Sequence, residues 1–128
     1  MKATLAILLL TGLPVIAHHS FAAEYDAKKP VDLKGVVTKV EWANPHAHFY
    51  LDVTSPEGKI ANWNMELASP NMLVRNGWKR NSLKPGDAVS VTGSLAKDGT
   101  NTASVGIISL PDGRKLTFMA APDEGPSK

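Results

Sequence analysis

The 128-residue sequence lacks cysteine, strong net charge and, apart from its N-terminus, any long apolar run. Without cysteine there are no disulfides and no thiol nucleophile, so packing alone must stabilise the fold. A net charge of +2 with no basic cluster argues against a nucleic-acid partner. The sequence also lacks a Gly-x-Ser-x-Gly nucleophile motif and a glycine-rich phosphate loop. These absences favour a binding protein over an enzyme.

The N-terminus has the pattern of a secretory signal peptide, with a positive start and an apolar run over residues 3–10. This run is too short to remain as a membrane anchor. We expect residues 1–17 to be removed after Ala17, which makes the mature protein periplasmic or secreted. Cleavage after Ala22 is the alternative, and it would remove His18 and His19.

The remaining residues, about 110, suffice for one domain. We expect an N-terminal arm over residues 18–30, a domain over 31–119 and a disordered tail over 120–128. Alternation of apolar and polar residues predicts strands, with Ile107 facing the core and Val36 on the same face as Val40 and Trp42. The phase change at Gly35 predicts a bulge or bend. The predicted strands span residues 31–42, 46–53, 59–68, 88–95, 102–110 and 115–119.

A short helix is predicted between the third and fourth strands. Ser69 is a suitable N-cap, Pro70 suits the first helical position, and Gly77 suits the position after the helix. We expect Leu73 with Met72, and also Trp78, to cover the core.

This order of elements predicts an all-β fold. It resembles the oligonucleotide/oligosaccharide-binding (OB) fold: a small OB-like Greek-key barrel of five to six antiparallel strands, with one short helix between strands 3 and 4. Short, closely spaced strands exclude an α/β fold, because parallel strands would need longer crossovers. An open β-sandwich is the alternative.

The second and third predicted strands carry most of the polar chemistry. Alternation places their polar side chains on one side of a hairpin, and parity permits Glu66 to lie opposite either His46 or His48. Such a surface is commonly the solvated side of a sheet. We call it the histidine face; it comprises His46, His48, Tyr50, Asp52, Asn62, Asn64 and Glu66.

One hypothesis for this face is a transition-metal site, for which copper is preferred. If the mature chain begins at His18, its amine and imidazole can chelate one ion, and His46 or His48 can add nitrogen ligands. His19 is an alternate ligand, and Glu66 could orient a histidine or close the site. Zinc is less favoured, because structural zinc sites usually include cysteine.

A second hypothesis needs no metal: an OB-like module that binds a small molecule, a glycan or a protein partner. The candidate ligand-binding residues are Tyr50, Asn44, Asn62, Asn64 and Asp52. A third possibility is proton transfer by His48 and Glu66, although such pairs are often only structural. For each hypothesis we expect a monomer without a transmembrane anchor after cleavage.

Several motifs also resemble those of a bacterial family of small exported proteins of unknown function. They are Ala17-His18-His19-Ser20-Phe21, Asn44-Pro45-His46, Gly77-Trp78 and Leu83-Lys84-Pro85-Gly86-Asp87. The resemblance implies export and a single β-rich domain. It implies no activity.

Overall fold

The computed structural model describes residues 21–117. The predicted signal peptide, His18, His19 and the predicted tail lie outside these residues. Within them, no helix is long and apolar enough to cross a membrane. The elements are α1 (Phe21–Glu24), β1 (Tyr25–Glu41), β2 (His48–Thr54), β3 (Ile60–Glu66), α2 (Pro70–Arg75), β4 (Ala88–Ala96), β5 (Thr102–Ser109) and β6 (Lys115–Thr117).

The strands form one sheet in the order β3-β2-β1-β4-β5-β6. Neighbours in this order are antiparallel, and a parallel pairing of β3 with β5 closes five strands into a ring. The prediction of an OB-like barrel with a helix between strands 3 and 4 is confirmed. The parallel closing pair was not predicted, because it joins strands that are distant in sequence.

The long strand β1 serves two neighbours. Residues 25–36 pair with β4, and residues 36–41 pair with β2, so that Val36 is bonded on both sides. The strand begins at Tyr25 instead of residue 31, and it therefore includes part of the segment predicted as an arm. Residues 27–30 are exposed, which explains why this part shows no alternation.

Two bulges overturn two predictions made from alternation, the shared face of Val36 with Val40 and Trp42 and the core position of Ile107. In β1, Thr38 is an extra residue opposite β2, and the alternation therefore changes phase after Val37. Val36 is consequently 45% exposed, whereas Val37 is 1% exposed. In β5, Gly106 is the extra residue opposite β4, which leaves Ile107 43% exposed.

Gly35 is not the bulge that was predicted there; it allows two strands to pack closely. A Cβ atom at this position would lie 2.2 Å from the backbone oxygen of Asp52, so only glycine permits β1 to approach β2 this closely. The strand β1 changes its pairing partner from β4 to β2 at Val36, and the bulge lies at Thr38.

The helix α2 closes one side of the core as predicted. The Ser69 hydroxyl accepts a hydrogen bond from the Met72 backbone nitrogen at 3.3 Å, and Gly77 follows with a φ of 89°. Leu73 is fully buried and Trp78 is 3% exposed, but Met72 is 38% exposed. Leu73 and Trp78, without Met72, therefore cover the core.

Candidate functional site

The hairpin of β2 and β3 sets the arrangement of the histidine face. Of the two registers that parity permits, the structure adopts the one that places His48 opposite Glu66. The pairing continues past the strand ends, because Ala47 exchanges backbone hydrogen bonds with Ala68 and Leu67 at 3.0 and 2.8 Å. This extension places His46 beside Glu66.

Glu66 joins two residues through its two carboxylate oxygens. Oε1 accepts a hydrogen bond from His46 Nδ1, and Oε2 accepts one from the Tyr25 hydroxyl. The Glu66 side chain is 14% exposed, and that of His46 is 43% exposed. We call this group the Tyr25–Glu66–His46 triad.

Tyr25 was missed by the sequence analysis. It lies in a segment without periodicity, yet it is 6% exposed, and its hydroxyl meets a residue 41 positions away. Burial, together with the hydrogen bond to the Glu66 carboxylate, raises the pKa of Tyr25 well above its usual range. The hydroxyl therefore stays protonated and donates to Glu66 at neutral pH.

His48 has a separate acceptor. Its Nδ1 lies 2.8 Å from Asn64 Oδ1, the amide oxygen of the neighbouring residue on β3. Carboxylate and amide oxygens only accept hydrogen bonds, so these partners assign the proton of each neutral ring, in His46 and in His48, to Nδ1. The Nε2 atom of each ring then carries the lone pair.

The other end of the histidine face is a network of polar pairs. Asn62 donates to Asp52 at 2.7 Å, and the Lys39 ammonium lies 5.7 Å from the centre of the Tyr50 ring. The same Lys39 pairs with Glu41 at 2.7 Å. Asn44 is exposed in the connection between β1 and β2 and precedes a cis peptide bond to Pro45. The candidate residues for a metal-free ligand thus lie on one surface, except Asn44, which lies in this loop.

The chain that leads into β1 is attached to the barrel close to the triad. Tyr25 pairs with Ala96 on β4, and the Lys97 backbone nitrogen donates to the Glu24 oxygen at 2.8 Å. The Lys97 ammonium donates to the Ala22 oxygen at 2.5 Å. The Phe21 ring stacks on the Tyr25 ring with centroids 5.6 Å apart.

The proposed metal ligands fall into two groups. His46, His48 and Glu66 lie together on the histidine face, whereas His18 and His19 precede the first described residue. Within residues 21–117, no group of three or more His, Asp or Glu side chains could hold a metal ion.

The closed ring of strands places the protein in the class of small OB-type barrels. The chain is similar in structure to the mitochondrial single-stranded DNA binding protein of S. cerevisiae, with a TM-score of 0.51 and 10% sequence identity. The match covers 65% of this chain and 93% of that chain. This likeness supports a small OB-type barrel and concerns the fold alone.

The chain belongs to the family of unknown function DUF6152, whose model matches residues 6–105. A search of curated proteins found no match. The predicted membership of a family of unknown function is confirmed, while its bacterial origin and export remain predictions.

Proposed function

We propose that this protein is exported and binds a copper(II) ion through His46, His48 and the histidines at the start of its mature chain. One observation carries the proposal: the Nδ1 atoms of His48, at the start of β2, and of His46, two residues before it, contact oxygen acceptors, Asn64 and Glu66 respectively. We call these two residues the strand histidines. Histidines that bind metals usually donate their second ring N–H to such an acceptor, which orients the ring and increases its basicity. Nε2 of each ring is then the ligand atom.

The remaining ligands would come from the predicted mature N-terminus. The amine and imidazole of His18 can chelate one ion, and His19 is the alternate. Phe21 lies three residues after His18, so an extended chain can place His18 at most about 10 Å from Phe21, at about 3.3 Å per residue. An all-nitrogen ligand set suits copper(II), whereas a structural zinc site would normally include cysteine.

Glu66 acts in this proposal as the acceptor that orients His46. Both of its carboxylate oxygens already have hydrogen-bond donors, His46 on one side and Tyr25 on the other. Direct coordination of the metal would break one of these hydrogen bonds. Of the two roles predicted for Glu66, orientation of a histidine is therefore favoured over closing the site.

Single-stranded DNA, the ligand of the yeast protein, is disfavoured here by charge. The outer surface around the hairpin carries Glu41, Asp52 and Glu66 beside Lys39. Binding of single strands relies on a positively charged groove that follows the phosphates. A small molecule, a glycan or a protein partner is the alternative if copper does not bind.

The test is a copper(II) titration of the processed protein, followed by calorimetry and by electron paramagnetic resonance. The full chain is expressed for export, and intact mass establishes the N-terminus of every preparation. We expect one-to-one binding. Because outer-sphere changes alone cost about 10–100-fold in affinity, we expect at least a tenfold loss for His46→Ala, for His48→Ala and for the double change His18→Ala/His19→Ala.

The control is Ser55→Ala, at the far end of the same hairpin, where the hydroxyl accepts from the Lys59 backbone nitrogen at 3.2 Å. This change should leave copper binding unaltered. Binding that depends on His18 and His19 but is indifferent to the strand histidines would contradict the proposal. A mature protein that begins after Ala22 would do the same.

A further inference from the structure

We infer that the protein has a second binding site, which takes an organic acid with a single apolar chain, such as a fatty acid. The site is a groove of about 690 Å³ on the surface of strands β1, β4, β5 and β6, a volume typical of small-ligand pockets. None of the described residues that line it belongs to the histidine face, so the inference is independent of copper. We call this site the β4–β5 groove, and its floor includes Pro30, Asp32, Thr92, Ser94, Ser104 and Ile107.

The register of the strands arranges part of this floor as a row of side chains. Thr92 pairs with Asp32 on β1 and with Ile107 on β5. Ile107 pairs in turn with Thr117 on β6. Opposed residues on neighbouring strands share a face of the sheet, so these four side chains form one row. Val91, which precedes Thr92, is fully buried in the core. Because successive side chains of a strand point to opposite faces, the row lies on the outside of the barrel.

The middle of the groove is apolar and recessed. Ile107 lies on its floor and is 43% exposed, because the bulge at Gly106 turns this side chain outwards. Phe21 and Pro30 border the groove from the chain that enters and begins β1. Ser104 is also on this face, yet it is only 8% exposed, which shows that the surface is concave there. Binding of an apolar chain in such a recess is favourable, because it removes apolar surface from water.

The next row along the strands carries a lysine at each end. Lys34 on β1 pairs with Ser90 on β4. Ser90 pairs with Ser109 on β5, and Ser109 pairs with Lys115 on β6. Residues two apart on a strand share a face and lie about 7 Å apart, a distance that a flexible lysine side chain can reach across. Two ammonium groups and two hydroxyls thus border one end of the groove, and all four can donate hydrogen bonds to a carboxylate.

The charge around the groove favours an anion. Asp32 is the one acidic side chain among the described residues that line it. Besides the two lysines of the neighbouring row, Lys28 and Lys29 lie in the exposed part of β1 that borders the groove. Asp26, the other carboxylate of this segment, accepts a hydrogen bond from the Lys28 backbone nitrogen at 2.9 Å. Positive charge therefore exceeds negative charge, and an apolar chain that ends in a carboxylate matches both the groove and its end.

The experiment is a calorimetric titration of the processed protein with dodecanoate, below its micelle concentration and in the presence of a metal chelator. We expect one-to-one binding that is at least about tenfold tighter than binding of dodecylammonium, because an ammonium head group would meet the lysines. Acetate has the head group without the chain. It should not bind measurably, because burial of the chain supplies most of the affinity.

The apolar part of the groove is tested at Ile107. Ile107→Thr keeps a β-branched residue on the strand but shortens the apolar side chain, and it should weaken dodecanoate binding by about fivefold. The matched control is Ile60→Thr on β3, where the side chain is 67% exposed and lies outside the groove. This change should have no effect. Thr92→Trp fills the groove and should abolish binding, which keeps the inference testable if Ile107→Thr folds poorly.

The charged end is tested with lysine variants. The double change Lys34→Met/Lys115→Met removes both ammonium groups while the side chains keep their length, and it should weaken dodecanoate binding by at least about fivefold. The matched control is Lys59→Met, an exposed lysine next to β3, which should leave binding unaltered. Asp32→Asn removes a repulsive carboxylate and should strengthen binding by about twofold. A cationic ligand would instead be weakened by this change.

The outcomes decide the inference without reference to copper. Losses in the groove variants with unchanged controls would support it. Dodecylammonium that binds as tightly as dodecanoate, or equal losses in variants and controls, would overturn it. Binding to vesicles of anionic phospholipid without binding of dissolved dodecanoate would do the same, as would a dimer that dodecanoate does not dissociate. Because the titration contains a chelator, this site and the copper site can fail separately.

Discussion

The two faces of the β2–β3 hairpin arise from the same alternation of residues, but different interactions stabilise them. On the inner face, Phe49, Leu51 and Met65 are fully buried. On the outer face, His48 bonds to Asn64, and Glu66 bonds to neighbours from two other segments. Hydrophobic burial is non-directional, whereas the outer contacts need particular atoms at particular distances.

The inner contacts therefore mainly determine the stability of the protein, and the outer contacts mainly determine what it can bind. The inner face can accept other apolar side chains of similar volume, because burial depends mainly on area and packing. The outer face cannot accept such exchanges at His46 or His48 without losing the ring nitrogens. We therefore expect inner substitutions to unfold the protein and outer substitutions to alter binding.

The largest expected effect is on the inner face. Phe49→Ala removes a fully buried ring and should lower the free energy of unfolding by about 3–5 kcal/mol. Denaturant unfolding measures this change. The comparison is Asn62→Ala on the outer face of the same hairpin, for which we expect a loss of no more than about 1 kcal/mol. Similar losses at the two positions would refute the distinction between the faces.

A smaller effect should follow from Gly35→Ala, which forces a Cβ atom towards the backbone of β2. The contact of 2.2 Å with the Asp52 oxygen must be relieved by moving β1, which should lower the free energy of unfolding by about 2–3 kcal/mol. Thermal and denaturant unfolding test this. Gly58→Ala is the control: its Cβ would meet open space, so that only its positive φ of 83° opposes alanine, by about 1 kcal/mol. An equal loss at both glycines would contradict the steric argument.

The smallest effect concerns an exposed pair at the edge of the outer face. The hydrogen bond from Lys39, aided by its charge, holds the pKa of the Glu41 carboxyl below its usual range. Lys39→Met should raise this pKa towards the usual value, without a measurable change in unfolding. Carboxyl titration by NMR measures it. The pKa of Asp112, lowered by hydrogen bonds from Arg114, should not move, and an unchanged Glu41 would show that the pair does not form in solution.

Much of the fold could be predicted because local patterns specify it. Alternation identifies the two faces of the hairpin, and parity narrows its register to two choices, of which the barrel adopts one. The caps of α2 are also local, since Ser69 and Gly77 act within a few residues of the helix. Val36 and Ile107 were predicted wrongly, because each lies near a bulge whose extra residue shifts the phase of alternation.

The candidate site could be predicted only in part. Alternation brings His46, His48 and Glu66 to one face, and the structure confirms that they lie together. Tyr25 had no such signal, because its hydroxyl partner lies 41 residues away and its neighbours in sequence are mostly exposed. Parity also cannot predict which acceptor each histidine contacts. His46 contacts Glu66 and His48 contacts Asn64, and this choice depends on side-chain geometry.

By itself, the sequence determined the strands, the short helix, the faces of the hairpin and the grouping of the strand histidines. These features depend on residues that are close along the chain, and the periods of helices and strands express them directly. Only the tertiary structure decided the parallel closure of β3 on β5, the partner switch in β1 and the bond from Tyr25 to Glu66. Each of these joins segments that are far apart in sequence, and their meeting depends on how the whole barrel packs.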